Sequence, residues 1–453
     1  MYENNKNIGW KKKNSSSNGS YDDSSIKNQI NILDNKIDEE IEEVNTQLAH
    51  NENLNEEMFV NVKKYGAKGD GVTDDSEAFR RAFSKGNQII IPPGKYLVSN
   101  IKITEPKVIK GLTSSFAWRE QNKHQTELIN VQDTDMFINS HWDEGGNSLT
   151  FENIYFKGNY QNKCIRAMWD FNVKNCTFEN FDTAVYEIHA GIINECKFWK
   201  NKTGLSGLTD TKVTNCDISM NETGLNLSSG NSNHITGNRI EWNTIAGIKH
   251  KKGVFNTVNN NQFDRNQIGF DIDGATNTLI VGNRFDRNID CHIRLIGSSF
   301  NITGNTFVAR DITDTNSGTI KPDKAIKLVS YGDIIFSGND SNTKFFDEST
   351  IQYTSGYFVC EGNYSPNLFT QKTFNYTSHG SKWIDMSDIQ GNFTNVNGWA
   401  YNFDVTIEYG NEIINPTFSV SKYNGITVDI PDKGASSYNV IVRMKSLNQP
   451  RVL

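Results

Sequence analysis

The middle of the chain alternates short apolar runs with polar corners at a nearly constant interval. The run Asn153-Ile154-Tyr155-Phe156 is followed by Asn175-Cys176-Thr177-Phe178, Glu195-Cys196-Lys197-Phe198 and Asn215-Cys216-Asp217-Ile218. Gly237-Asn238-Arg239-Ile240, Asn260-Asn261-Gln262-Phe263, Gly282-Asn283-Arg284-Phe285 and Gly304-Asn305-Thr306-Phe307 continue the series. The starts fall roughly every 20 to 23 residues. Each unit then passes a polar corner (Asn201, Asn221, Asn243, Asn266, Asn288) and re-enters with a small-then-apolar pair such as Gly224-Leu225 or Gly247-Ile248. There is no helical period. The pattern predicts a parallel β-solenoid, and the repeating leucines of a leucine-rich repeat are missing.

Rungs of a parallel sheet stack about 4.8 Å apart, so equivalent residues form ladders along the axis. Strand side chains alternate faces, so the second and fourth positions of each run point the same way. The fourth is apolar throughout and must face the core. The second is then inward too: a thiol ladder (Cys176, Cys196, Cys216) followed by an amide ladder (Asn238, Asn261, Asn283, Asn305). Stacked amides hydrogen-bond along the axis, which offsets their burial. The third and fifth positions point outward.

The flanks differ. Residues 1–24 are low in complexity and predict a flexible segment. Residues 25–57 predict a helix whose apolar positions Ile26, Ile30, Leu33, Ile37, Ile41, Val44 and Leu48 superpose on an 11-residue shift, as in a coiled coil. Residues 58–364 are the solenoid, with a loop insertion at Arg310 to Asp323 and further rungs at Gly338-Asn339 and Gly362-Asn363. Residues 365–453 alternate apolar and polar, as in Phe403-Asp404-Val405-Thr406-Ile407, and predict a β-sandwich for trimerisation or glycan binding.

The solenoid opens with Tyr65-Gly66-Ala67-Lys68-Gly69-Asp70-Gly71-Val72-Thr73-Asp74-Asp75, a short helix with inner face Ala78, Phe79, Ala82 and Phe83, and Ile91-Pro92-Pro93-Gly94-Lys95-Tyr96. Thr73 or Asp74 is the expected N-cap. The aspartates are read as turn and cap residues rather than metal ligands. This segment resembles the opening of the pectate-lyase-like right-handed β-helix superfamily, which includes polysaccharide hydrolases, lyases and bacteriophage tailspikes. The similarity covers about residues 60–364.

The resemblance implies an all-β fold: a right-handed parallel β-helix with an N-terminal coiled-coil helix and a C-terminal β-sandwich-like domain. With that coil the chain looks like phage tail proteins of Gram-positive hosts. Such proteins are homotrimers in the virion, held to the tail or baseplate by the N-terminus. They bind, and often cleave, bacterial surface polysaccharide or teichoic acid.

Composition narrows the classes. The 453 residues carry a formal net charge of −7, with no basic stripe, which argues against nucleic acid. No apolar stretch is long enough for membrane insertion, and Met1 to Ser20 lacks a secretory apolar segment. Three of the six cysteines sit in the ladder and read as buried thiols; Cys164, Cys291 and Cys360 lack metal-ligand spacing. No cofactor is implied, calcium excepted if the chemistry is elimination.

Candidate chemistry then lies on the outside of the coil. The fifth-position ladder brings Glu241, Asp264 and Asp286 onto successive rungs, an acidic strip suited to glycoside hydrolysis by paired carboxylates. Trp199 and Trp242 are candidate sugar-stacking surfaces beside it, with Arg265 and Arg287. The alternative for the strip is a solvated face of ion pairs with Arg239 and Arg284. A second outward ladder holds Lys249, Asp271 and Arg294, with Asp273 beside it; it suits an anionic polymer, or a lyase with bound calcium and a Lys or Arg base. His250 falls on an inward register, adjacent to His292. Glu187 and His189 are a further outside candidate. The expected function is a depolymerase that hydrolyses a surface polysaccharide. The alternatives are a polysaccharide lyase, a teichoic-acid phosphodiesterase and a non-catalytic receptor-binding spike.

Overall fold

The computed structural model describes residues 23–112, 125–139 apart from 131, 147–308, 324–346 apart from 332 and 342–343, 352–353, 357–361, 371–385, 400–421 and 425–448. The expected loop at Arg310 to Asp323, the Gly362-Asn363 rung and all but the last residues of the expected flexible segment lie outside them.

The chain divides into two units, Met1–Met58 and Phe59–Leu453. In the first, helix α1 runs Asp23–Met58, matching the expected 25–57 helix. Its seven periodic apolar residues are each about half exposed, from 49% at Ile37 to 58% at Leu33.

The second unit opens on the aspartate-rich turn. Asp70 accepts from the Val72 and Thr73 amides, and Asp74 from the Ser76 amide at 2.9 Å. Asp75 occupies the N-cap of helix α2 (Ser76–Phe83), one residue later than expected. Its carboxylate does not cap the helix, because it accepts from the Lys68 and Gly69 amides at 2.6 and 3.0 Å. The turn reading therefore holds, with the cap displaced. Ala78, Phe79, Ala82 and Phe83 form the buried face as expected. Phe79 packs edge-on to Tyr96 at 5.6 Å and Phe83 stacks on Phe137 at 6.2 Å, so α2 closes the first rungs.

Each rung then crosses three parallel faces. The first face carries the short strands Tyr155–Lys157, Thr177–Glu179, Lys197–Trp199, Asp217–Ser219, Arg239–Glu241, Gln262–Asp264, Arg284–Asp286 and Thr306–Val308. The second carries Lys163–Trp169, Thr183–His189, Thr203–Thr209, Thr223–Asn226 and Ala246–Lys251. The third carries Phe171–Lys174, Ile192–Asn194, Lys212–Thr214, His234–Thr236 and Thr257–Asn259. Strands Ile268–Val281 and Cys291–Thr303 span the second and third faces without a break.

The register on the first face is the one the repeat predicts: Phe156, Phe178, Phe198, Ile218, Ile240, Phe263, Phe285 and Phe307 stand in one column. Their rings lie nearly parallel, 4.8 Å apart at Phe156–Phe178 and 4.6 Å at Phe263–Phe285. Rung spacing and aromatic stacking distance coincide, which is why phenylalanine suits this column.

The second-position ladder is buried as expected. Cys176, Cys196 and Cys216 are free thiols, and burial pushes Cys176 up to about 12. From Asn261 to Asn305 each Oδ1 accepts twice, and from Asn238 to Asn305 each Nδ2 donates at least twice, while Asn238 Oδ1 accepts only the Cys216 amide. Asn261, for example, takes the amide and side-chain donors of Asn238, both at 2.9 Å. It gives to Ile235 O at 2.8 Å and Asn283 Oδ1 at 3.0 Å. An amide has no further capacity, so its burial is fully compensated. The corner asparagines differ from expectation. Asn201, Asn221, Asn243, Asn266 and Asn288 are not a solvated corner but a second buried ladder of the same design. The glycines that follow pack closely: a Cβ at Gly224 would lie 2.5 Å from Gly247 O.

Beyond the solenoid, Gln371–Tyr376, Ala400–Tyr409 and Tyr438–Asn448 form an antiparallel sheet, and Gly380–Asp385, Gly425–Ile430 and Phe418–Ser421 a second. Ile384, Ile426 and Val428 of one and Val405, Ile407, Val440 and Val442 of the other are buried in one apolar cluster, a sandwich-like arrangement. Tyr438–Asn448 also pairs antiparallel with Tyr357–Glu361, so the C-terminal sheet continues the solenoid.

Candidate functional site

Glu241, Asp264 and Asp286 stand in one column on successive rungs, as expected. They are not an open acidic strip. The three residues are 3%, 2% and 0% exposed. The cause is the next residue in each rung: Trp242, Arg265 and Arg287 are left-handed, with φ of 59°, 55° and 52°. At Arg265 and Arg287 that turn brings the side chain back over the column. Arg287 grips Asp264 with Nε at 3.0 Å and a terminal nitrogen at 2.6 Å, and Arg265 reaches the same carboxylate at 2.7 Å. Arg284 and Arg287 hold Asp286 at 3.2 and 3.4 Å, and Arg239 holds Glu241 at 2.7 Å.

Four guanidiniums thus face three carboxylates. The expected ion pairs with Arg239 and Arg284 do form; their carboxylate ends are buried, while the two guanidiniums are 49% and 55% exposed. Burial raises the Glu241 and Asp264 carboxyls, opposed by Arg239 and Arg287 respectively. Glu241 is raised further by Asp217, whose Oδ1 is buried without a hydrogen-bond partner. The indoles are occupied too. Lys197 and Lys200 sit 4.7 and 4.0 Å from the Trp199 ring, and Arg265 lies 4.5 Å from that of Trp242.

The second outward ladder has the expected register: Ser206, Asn226, Lys249, Asp271, Arg294. Asp271 and Asp273 flank buried Ile272. Asp271 is held by two Arg294 nitrogens at 2.6 and 2.7 Å, and Asp273 lies 3.4 Å from Lys251. Calcium takes six to eight oxygens, and both carboxylates are engaged by cations, so this pair does not fit that ion. Among the described residues no group of three or more His, Cys, Asp or Glu is gathered for a metal.

His250 is buried as expected, with Nδ1 3.3 Å from Leu227 O and Nε2 3.1 Å from Asn256 Nδ2. It is not adjacent to His292 in the ladder. Its register partner is Ile272, then Leu295; His292 belongs to a different column and contacts Asn288 at 3.0 Å.

Another cluster is open. On the second face Arg166, Tyr186 and Ser206 form the upstream part of the same outward column, and Trp169, His189 and Thr209 another. Arg166 Nε lies 2.6 Å from Glu187 Oε2, and these side chains are 39% and 41% exposed. The Tyr186 hydroxyl donates to Asp135 Oδ2, and Lys163 Nζ sits 4.5 Å from the Tyr186 ring. Burial first, then this bond to Asp135, raises the Tyr186 phenol. Trp169 is 40% exposed, and His189 stacks on it at 5.1 Å.

Glu187 is left-handed at φ 54°, in a strand whose next rung has Gly207 at φ 66°. Glu187 is half exposed there and pairs with Arg166. Glycan cleavage commonly uses a pair of carboxyl groups, and this face carries two, Glu187 held by Arg166 and Asp135 held by Tyr186. Sequence reasoning singled out Glu187 and His189 here. Extending the outward columns upstream would have added Arg166, Tyr186 and Trp169. Asp135 comes from outside the strands and carried no periodic signal.

Comparison with known proteins fits this architecture. Residues 59–113 match the family described as rhamnogalacturonase A/epimerase, pectate lyase-like, and residues 192–343 match the right-handed β-helix region. A pre-neck appendage protein of Bacillus phage B103 is 37% identical over 111 residues. That match covers 24% of this chain and 12% of the relative. Among solved structures, the Dettilon tailspike protein aligns with a TM-score of 0.51 at 14% identity, over 86% of this chain and 94% of that one. PfbA, a surface adhesin of Streptococcus pneumoniae, gives 0.51 at 13% identity, over 68% and 89%. At these identities the shared feature of the solved structures is the fold. The chain folds as a right-handed parallel β-helix, and its pectate-lyase-like match is confined to residues 59–113.

Proposed function

We propose that this chain is a virion-associated phage appendage protein that binds a bacterial surface polysaccharide on the outer second face of its β-helix and hydrolyses it there. The observation that carries the reading is the open cluster of Trp169, His189, Arg166, Glu187, Tyr186 and Asp135. The indole stacks on a sugar ring. Glu187, oriented by Arg166, and Asp135, oriented by Tyr186, divide the acid and base roles of glycoside cleavage. The phage relative supports the virion setting, and the family of residues 59–113 supports glycan chemistry. Three copies would associate through α1, whose half-exposed apolar stripe needs a partner of the same period.

One observation favours a second reading, with chemistry on the first face. Glu241 is raised by burial beside the unpartnered Asp217 oxygen, as a general acid would be. Asp264 and Asp286 would then hold the arginines in place. Purified host glycans incubated with the protein and weighed by mass spectrometry test both readings. Fragments carrying one added water mean hydrolysis, unsaturated fragments mean elimination, and intact polymer means binding alone. Glu187→Gln and Glu241→Gln then assign the face.

A further inference from the structure

A cavity of about 380 Å³ opens where α2 meets the first rungs, lined by Arg80, Phe83, Ser84, Asn100, Lys102, Thr104, Glu105 and Lys107. It lies outside both carboxylate sites. Lys107 is the unusual member, a lysine whose side chain is only 3% exposed. Its ammonium is held by Asn87 Oδ1 at 2.7 Å and Glu105 Oε2 at 3.1 Å. An ammonium has three donors, so these acceptors leave capacity for another. Arg80 pairs with Glu77 at 3.1 Å and donates to Ser99 O. Lys102 is exposed at the rim. Three cations therefore meet two carboxylates, with Lys102 in excess. Polar Ser84, Asn100 and Thr104 add hydrogen-bonding groups, and Phe83 an apolar wall.

The cavity is aligned with the proposed site. Lys102 pairs in register with Ile138, and Ile138 with Arg166, on the same outward column. Two rungs separate Lys102 from Arg166, about 10 Å along the axis. A short oligosaccharide stacked on Trp169 reaches that far.

We propose that this cavity binds a singly charged oxyanion carried on the glycan, so that the polymer bound on the second face is acidic. Lys102 and Lys107 supply the charge, and Ser84, Asn100 and Thr104 take hydroxyls of the same unit. The inference rests on the second-face reading for its substrate, but the cavity is tested by itself. Two sources carry such a group: the carboxylate of a uronic acid and the phosphodiester of a polyol phosphate chain.

The probes are glucuronic acid, glycerophosphoglycerol and, as the neutral control, glucose. Saturation-transfer NMR and titration on the full chain should detect one charged probe and not glucose. Whichever binds names the source. Lys102→Glu, an exposed change that leaves the core intact, should weaken that binding at least tenfold. Lys107→Met should do the same if it folds. Equal binding of glucose, no binding of either charged probe, or full binding by the Lys102→Glu variant would overturn the inference. None of these results touches Glu187-dependent cleavage of host polymer, so the two readings fail separately.

Discussion

Replacing Glu187 by glycine separates catalysis from stability. The residue is held at φ 54°, and Gly207 occupies the same place one rung on at φ 66°. A left-handed conformation costs a non-glycine residue roughly 1–2 kcal/mol, which Glu187→Gly relieves. Against this stand about 0.4–1 kcal/mol of added unfolded-state entropy and about 0–1 kcal/mol for the ion pair with half-exposed Arg166. The terms cancel to within about 1 kcal/mol. The thermal midpoint, followed by circular dichroism, should therefore stay within about 2–4 °C of wild type. Cleavage of host polysaccharide should fall by about 10² to 10⁴, the usual contribution of a positioned acid or base. A variant that cleaves at the wild-type rate would refute the role of Glu187. A midpoint lowered by more than about 10 °C would make the residue a structural one.

Three further outcomes are expected. Asn261→Ala strands the Asn238 amide and side-chain donors and the Ile235 carbonyl, at about 1–3 kcal/mol per buried orphan. Denaturant titration should show a loss above about 3 kcal/mol, and a loss below 1 would refute the saturated ladder. Burial depresses His250 to about 4 and His292 to about 3, so their contribution is complete above the ordinary value of 6.5 and is lost as pH falls. At pH 5 each should cost about 2 kcal/mol relative to pH 8, and equal unfolding free energies at both pH values would contradict this. Removing residues 1–58 should leave the strand spectrum intact but reduce a trimer to monomers in sedimentation. A monomeric full-length chain would end the α1 argument.

The repeat was legible because each rung is the same problem solved again. Phe178, Phe198 and Phe285 announce the core column, and Cys176 or Asn238 the inward position two residues before it. Period-two alternation sets the face of every residue in the short strands. It does not set what lies above them. The left-handed corner at Arg265 and Arg287 turns the sixth side chain over the carboxylate column, so an outward column became a buried one. The same limit concealed the second ladder at Asn221, which looked like a polar corner because asparagine suits both roles. The Trp169–Glu187 cluster was half visible. Its strand residues follow the period, whereas Asp135 arrives through three-dimensional proximity alone.

Mass analysis of purified host glycan after incubation with wild type, Glu187→Gln and Glu241→Gln tests the central claim most directly. Fragments carrying one added water are expected from wild type and from Glu241→Gln, and bound but uncut polymer with Glu187→Gln. Cleavage that survives in Glu187→Gln and disappears in Glu241→Gln would contradict it and move the chemistry to the first face.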